Sequence, residues 1–314
     1  MKLLITGALG HIGSKLIRDL PQKIKVDEIV LVDNMSAQRY CSLFDLPSIT
    51  KYSFVEGDVR TIDLQNIFSK GIDAVIHLAA ITNAAESFDF KEALEKNNFG
   101  ATEKIAISCA ESKVPLMFAS TTSVYGTAQS IVDENCSKEE LKPQSPYAET
   151  KLREEALLNL LGQERGLNYV ICRFGTIYGT SVGMRFHTAV NKFCWQACLG
   201  QPITVWKTAL YQKRPYLDIN DAVRAVEHII TKKLYNRTIY NVLTNNLTVS
   251  DIVEEIKKNV QSLKVELVDS KIMNQLSYEV SCEKFSGTGF KSTGSIAGQI
   301  SATVRLLKGS SLGR

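Results

Sequence analysis

Tyr147 and Lys151 stand four residues apart, directly after Ser145-Pro146, a pair that opens a helix with serine as cap and proline at the first position. Residues four apart share a helix face, so the phenol and the ammonium point the same way. A free tyrosine ionises near pH ~10 and is a poor base at neutral pH. A cation beside it favours the phenolate and brings it toward the working range. For an arbitrary Tyr-x-x-x-Lys the plainer explanation is an exposed ring beside a solvated lysine, so the setting decides. Phe118-Ala-Ser-Thr-Thr-Ser-Val-Tyr-Gly126 adds a cluster of hydroxyls. Turn polarity explains such a cluster in isolation; beside a tyrosine base it becomes a candidate catalytic donor. Thr6-Gly-Ala-Leu-Gly-His-Ile-Gly13 places glycines at 7, 10 and 13. Glycines there allow a tight turn and let main-chain N–H groups approach a pyrophosphate at a helix N-terminus. A packing turn has the same glycines, but this one lies between a strand and an amphipathic helix, and Asp33 follows Gly13 by 20 positions. An acidic group at that place accepts hydrogen bonds from an adenosine ribose and repels a 2′-phosphate, which favours NAD over NADP. Lys2 and Arg39 are the nearby basic residues, and neither directly follows the strand.

The elements that must hold these groups alternate in the first half of the chain, as in a parallel sheet covered on both faces. Strands are expected at 2–6, 28–33, around 54–55, 74–80, 116–120 and 169–174. Ile12, Leu16, Ile17 and Leu20 share one helical face, and Pro21 stops that helix. Further helices are expected from about Phe90 to Ser112 and from Pro146 toward Gly166. Beyond Gly179 the rhythm loosens: a helix near 188–199, a short strand at 203–206, a polar aromatic loop (TALYQKRPY), and a helix capped by Asn220 or Asp221. Residues 238–243 are expected to return to the main sheet. The Gly- and Ser-rich tail from Ser286 keeps an apolar pattern at Ile296, Ile300, Val304 and Leu307, which predicts a terminal helix.

Composition narrows the class. The 314 residues are 44% hydrophobic and 22% charged with a net charge of +4, which excludes extensive disorder and gives no basic signature for nucleic acid. Seven cysteines, without a C-x-x-C pair, fit reduced thiols in a cytoplasmic setting better than a disulfide framework. Cys194 and Cys198 lie one turn apart, but no histidine completes a four-ligand set, so no metal is expected. No apolar run approaches the ~20 residues that span a bilayer, and MKLLITGALG lacks the layout of a signal peptide.

Together these residues resemble the extended short-chain dehydrogenase/reductase family, and within it the NAD-dependent sugar-nucleotide epimerases and dehydratases. The likeness rests on the glycine turn, Asp33-Asn34, Gly57-Asp58-Val59, His77-Leu-Ala-Ala80, Asn98 two before Gly100, the Ser-rich Val-Tyr-Gly segment and Tyr147-x-x-x-Lys151. Arg173 to Gly179 resembles R-x-x-N-x-Y-G, and Gln212 through Asp221 resembles a Q-x-R-x-[FY]-[IL]-x-x-x-D signature. The resemblance implies a Rossmann-type doubly wound α/β sheet with a smaller C-terminal substrate-binding domain: residues 1–180 with 216–245 returning to it, then 181–215 and 246–314. It implies that Gly7, Gly10, His11, Ile12 and Gly13 hold the pyrophosphate through the backbone, Asp33 and Asn34 the adenosine ribose, and Asp58 and Val59 the adenine. Leu78, Ala79, Ala80 and Asn98 would line the cofactor channel. Tyr147 would be the acid/base, Lys151 would bind the nicotinamide ribose, and Thr121, four before Tyr125, would be the catalytic hydroxyl.

On the substrate side stand Thr122, Ser123, Thr176, Arg185, Asn191 and Arg214. For Arg185, His187 and Asn191 a solvated helix start is an equal explanation; for Trp206, Tyr211 and Tyr216 core packing competes with stacking on a base. The dehydratases carry Asp-Glu after the catalytic threonine; Thr122 and Ser123 lack that acidity, which disfavours 4,6-dehydration. Thr176 stands where an asparagine commonly touches the diphosphate, and the G-x-G before the Q-x-R motif is missing. The expected activity is oxidation of a nucleotide sugar, at C4, by an epimerase with a transient keto intermediate. The alternatives are a net dehydrogenase or reductase, a 4,6-dehydratase and a non-catalytic NAD-binding regulator. A nucleotide-sugar substrate and a homodimer, with no nucleic acid or membrane partner, complete the expectation.

Overall fold

In a computed structural model, residues 1–82, 88, 91–126, 131–137, 139–143, 145–269 and 277–309 are described. The chain runs β1 (Lys2–Thr6), α1 (His11–Asp19), β2 (Glu28–Asp33), β3 (Lys51–Glu56), α2 (Leu64–Phe68), β4 (Ala74–His77), α3 (Lys91–Ser112), β5 (Leu116–Thr121) and β6 (Ile131–Val132). It continues with α4 (Pro146–Arg165), β7 (Tyr169–Phe174), β8 (Thr176–Tyr178), α5 (Ala189–Cys198), β9 (Ile203–Trp206), β10 (Lys213–Asp218) and α6 (Ile219–Lys232). Last come β11 (Thr238–Val242), β12 (Asn245–Thr248), α7 (Val249–Asn259), β13 (Val265–Val268), β14 (Glu279–Val280), α8 (Glu283–Ser286) and α9 (Ile296–Leu307). Phe90, the expected start of the third long helix, lies outside the described residues.

Seven strands form one sheet in the order β11-β7-β5-β4-β1-β2-β3, and every neighbouring pair is parallel. Side chains alternate across a strand, and the apolar runs use both faces. Leu3 and Ile5 enter one core with α1 and α6, whereas Leu4 enters the other with α2, α3 and α4. Ile29 and Leu31 divide from Val30 and Val32 in the same way. This two-sided burial is why these strands are continuously apolar instead of alternating. The strand order turns back between β1 and β4, and a crevice at the carboxyl ends of the strands is where such sheets take ligands.

A third apolar cluster joins α5, α7, α9 and β9 through Phe193, Cys194, Val205, Ile252, Ile256 and Ile300. Tyr178 and Tyr216 of a small sheet, β12-β10-β8, belong to it. Two expectations are corrected here. Residues 213–216 of the expected loop belong instead to strand β10 (Lys213–Asp218), which pairs with β8 on one side and β12 on the other. Asp218, not Asn220 or Asp221, caps α6: its extended backbone lets the carboxylate accept from Asn220 N at 2.8 Å. Asp221 instead lies buried in the first turn and accepts from the Thr293 and Gly294 amides at 3.0 and 2.9 Å, tying the tail to α6.

Candidate active site

A cleft of about 570 Å³ opens over the carboxyl ends of the parallel strands. At one end is the glycine turn. Gly7 has φ +66°, and a Cβ there would sit 2.7 Å from Ala79 N; a Cβ on Gly13 would run into the carbonyl oxygens of Gly7 and Ala8. Side chains at 7 and 13 would break the turn. Gly10 is the N-cap of α1 and no side chain caps it, so the first-turn N–H groups have no partner within the helix. Gly10, His11, Ile12 and Gly13 all line the cleft. An uncapped helix end reached through glycines, with Leu78 and Ala80 forming the adjoining wall, fits a dinucleotide pyrophosphate. Asp33 closes β2 beside it. Its oxygens accept from Leu9 N and Met35 N at 3.1 Å each, which fixes the carboxylate and leaves lone pairs for a ribose.

The middle of the cleft holds the acid/base candidates. Ser145 Oγ accepts from Ala148 N at 3.2 Å, Pro146 follows, and Gly166 ends α4 in the left-handed region, as the sequence spacing requires. That helix presents half-buried Tyr147 and buried Lys151 to the cleft. The Lys151 ammonium lies 6.0 Å from the Tyr147 ring centre and 4.4 Å from that of Phe118. Burial raises the Tyr147 phenol above its ordinary range; Lys151 and Arg185 oppose this, and Glu154 adds to it. Thr121, Thr122 and Ser123 line the same wall. Thr121 Oγ1 accepts from Ser123 N at 3.1 Å, so its hydroxyl proton remains to be given. Thr122 donates to Phe174 O at 3.3 Å and is occupied.

At the far end are Thr176, Arg185 and Arg214. Arg185 donates to Thr82 Oγ1 at 2.6 Å, while its shielded Nε has no hydrogen-bond partner among the described residues. Arg214 lies 5.1 Å from the Tyr278 ring centre. Trp206 lines the cleft, Tyr216 is buried against Tyr178, and Tyr211 is exposed.

Besides Asp33, six expected residues lie away from the cleft wall. Asn98 is fully buried and clamps the backbone of Ile81, accepting from its N–H at 2.8 Å and donating to its O at 2.9 Å. Asn191, also fully buried, holds Gly179 N and donates to the carbonyls of Gly179 and Arg185. Both position loops that carry cleft residues, because their amides are consumed by backbone. Asp58 pairs with Arg60 at 2.6 Å, which with the Asn34 amide holds its carboxyl below the usual range. Val59 is buried in the core, Asn34 is exposed beside Asp58, and Ala79 packs half-buried against the second core. Cys194 is buried, and no group of three metal-ligating side chains occurs among the described residues.

Sequence reading set Arg39 aside as a basic residue that does not directly follow the strand, yet it lines the cleft beside the turn, with its Nη1 3.8 Å from where a Gly10 Cβ would sit. It passed over Glu154, fully buried with its Oε2 3.1 Å from Lys151 Nζ. A carboxylate three residues after the lysine was the available signal.

A parallel sheet of this order with a glycine turn and a Tyr–Lys helix defines an enzyme of the extended short-chain dehydrogenase/reductase type. Residues 3–242 match the NAD dependent epimerase/dehydratase family, and the chain belongs to it; its cofactor is NAD. It is 32% identical over 240 residues to the uncharacterized UDP-glucose epimerase YtcB of Bacillus subtilis, covering 74% of this chain and 73% of that one. The trifunctional UDP-glucose 4,6-dehydratase/UDP-4-keto-6-deoxy-D-glucose 3,5-epimerase/UDP-4-keto-L-rhamnose-reductase RHM1 of Arabidopsis thaliana is 29% identical over 92% of this chain, which spans 44% of that longer protein. Among solved structures, UDP-glucuronic acid 4-epimerase from Bacillus cereus, in complex with UDP-glucuronic acid and NAD, superposes with a TM-score of 0.85 at 26% identity, covering 98% of this chain and 99% of that one. No described helix is long and apolar enough to cross a membrane.

Proposed function

We propose that this protein is a sugar-nucleotide epimerase that oxidises and re-reduces C4 of a uridine diphosphate sugar in the cleft. The observation that carries the reading is Tyr147 and Lys151 side by side in a cleft whose other end is an uncapped glycine turn. The names of the relatives support the nucleotide and the carbon. Gly7, Gly10, His11, Ile12 and Gly13 hold the pyrophosphate by main-chain groups, and Asp33 the adenosine ribose. Lys151 takes the nicotinamide ribose. NAD, when bound, supplies a hydride acceptor that also returns the hydride.

Tyr147, as phenolate, removes the proton of the C4 hydroxyl, and Lys151 and Arg185 favour its charge. Thr121 donates a hydrogen bond to the same oxygen and steadies the charge that develops there. The sugar ketone then turns over within the cleft, and Tyr147 returns the proton once the other face is reduced. Arg214, Thr176 and Arg185 line the part of the cleft that receives the diphosphate and sugar, with Ser123 beside the reacting oxygen. Asp58 and Val59 stand nearer the adenine side. Thr122 and Ser123 hold no carboxyl, and Thr122 is bonded to Phe174 O, so elimination of the C6 hydroxyl lacks its acid and base. The resemblance further supports a homodimer paired through α3 and α4, and seven cysteines without a C-x-x-C pair support a cytoplasmic setting.

Incubation with a panel of nucleotide sugars tests the reading. An epimer appearing without accumulating NADH supports it; stoichiometric NADH makes the protein a net dehydrogenase instead. Tyr147→Phe should lower turnover by roughly 100-fold or more while NAD still binds. A Phe variant with full turnover would remove Tyr147 from the mechanism.

A further inference from the structure

Behind Lys151 runs a line of buried polar groups that the proposed reaction does not use. Glu154 Oε1 accepts from Thr102 Oγ1 at 2.5 Å; Thr102 faces His77 Nε2 at 3.2 Å, and His77 Nδ1 faces Thr6 Oγ1 at 2.6 Å. Glu154, Thr102 and Thr6 are fully buried, and His77 and Lys151 nearly so. The line reads in one direction only. Thr102 spends its single proton on Glu154, so it must accept from an Nε2–H of His77, whose Nδ1 then accepts from Thr6. The Ala79 amide donates to Thr6 Oγ1 at 3.4 Å and closes the series. Every dipole points at the Glu154 carboxylate, whose second oxygen meets the Lys151 ammonium at 3.1 Å.

We propose that Glu154 is a positioning residue: a built-in counter-charge that fixes the Lys151 ammonium behind Tyr147 and, by offsetting it, sets how readily the phenol gives up its proton. The inference rests on the reading of Tyr147 as the acid/base. An ammonium free of a carboxylate would swing toward solvent or the phenol. Here it is held between a carboxylate and the Phe118 ring, 4.4 Å away. The charges that face Tyr147 are Lys151 and Glu154 from its own helix and Arg185 from the loop after β8. His77, from β4, faces Lys151, but burial and that cation push it down to about 3, so it carries no charge at working pH. Of the charges that face Tyr147, Glu154 is the one that makes phenolate harder to form.

Ultraviolet titration of tyrosinate in the NAD complex tests this, with a Tyr147→Phe counterpart of each variant subtracted to isolate residue 147. Glu154→Gln should lower the midpoint by about one pH unit, the order expected for one nearby charge removed from a shielded site. Glu154→Asp, which withdraws the charge by one methylene, should fall between the two and stands as the test if the Gln variant does not fold. The acid limb of turnover against pH should move the same way. Midpoints that coincide in folded protein overturn the proposal. The earlier reading fails separately, if Tyr147→Phe itself turns over substrate, and the subtraction still reports whether Glu154 tunes the phenol.

Discussion

At the scale of single residues, burial and neighbouring cations compete over the Tyr147 phenol. Burial alone would keep Tyr147 protonated, and Lys151 and Arg185 work against it. His11 is pushed down to about 3 by burial, with Arg185 and Arg39 adding to the effect, so a neutral imidazole stands beside the pyrophosphate turn and its charge does not compete there. The Lys151–Glu154 pair sets a stability test. Removing one partner of a buried ion pair leaves the other charge uncompensated, so Lys151→Met should cost about 3–5 kcal/mol in urea unfolding. The double variant Lys151→Met/Glu154→Gln should regain most of that loss; equal losses in the two would mean that the pair does not couple. Tyr147, Lys151 and Thr121 were legible in the chain because their spacing from helix cap and strand end is fixed locally. Asn98 and Asn191 were named for contact with ligands and turn out to hold backbone, since an asparagine's partners depend on which loop folds over it.

At the scale of elements, α4 carries the chemistry, and its start sets where the tyrosine falls. The Ser145 cap, Pro146 and the Gly166 stop are local signals, which is why the helix was readable to within a residue. Ser145→Ala removes the hydrogen bond to Ala148 N and should cost about 1 kcal/mol, measured by thermal or urea unfolding. An unchanged midpoint would mean that the tertiary contacts of α4, not its cap, fix its first turn. Strands β1, β2, β4, β5 and β7 were legible from their apolar runs. Strand β10 was not, because Lys213-Arg-Pro-Tyr216 has polar and cyclic residues that read as a loop. It is a strand because β8 and β12 supply its hydrogen bonds. Helix α6 was readable, but its cap was misplaced: three acidic or amide residues stand within four positions, and only the strand's extended end selects Asp218.

For the whole molecule, the buried histidines predict the response to acid. His77 is at about 3 and His11 at about 3, against an ordinary value of 6.5. The folded state therefore holds both neutral where the unfolded chain takes up protons. Unfolding then binds more protons, so stability is full above pH 6.5 and falls as pH drops below it toward the folded values. Urea midpoints measured down to about pH 5 should decline steadily, and His77→Gln should flatten the decline; a parallel curve would show that His77 does not contribute. The sequence by itself determined the alternation of the main strands and helices in the first half, the glycine turn, the acidic end of β2 and the register of tyrosine, lysine and hydroxyls, because each depends on contacts within a few residues. Only the tertiary structure decided which of these share a cleft, that Arg39 and Arg185 enter it from distant loops, and that Thr102 of α3 meets Glu154 behind the lysine. Those juxtapositions come from the crossing between β1 and β4 and from the packing of α3 on α4. Both join residues far apart in the chain, and burial there changes what each charge is worth.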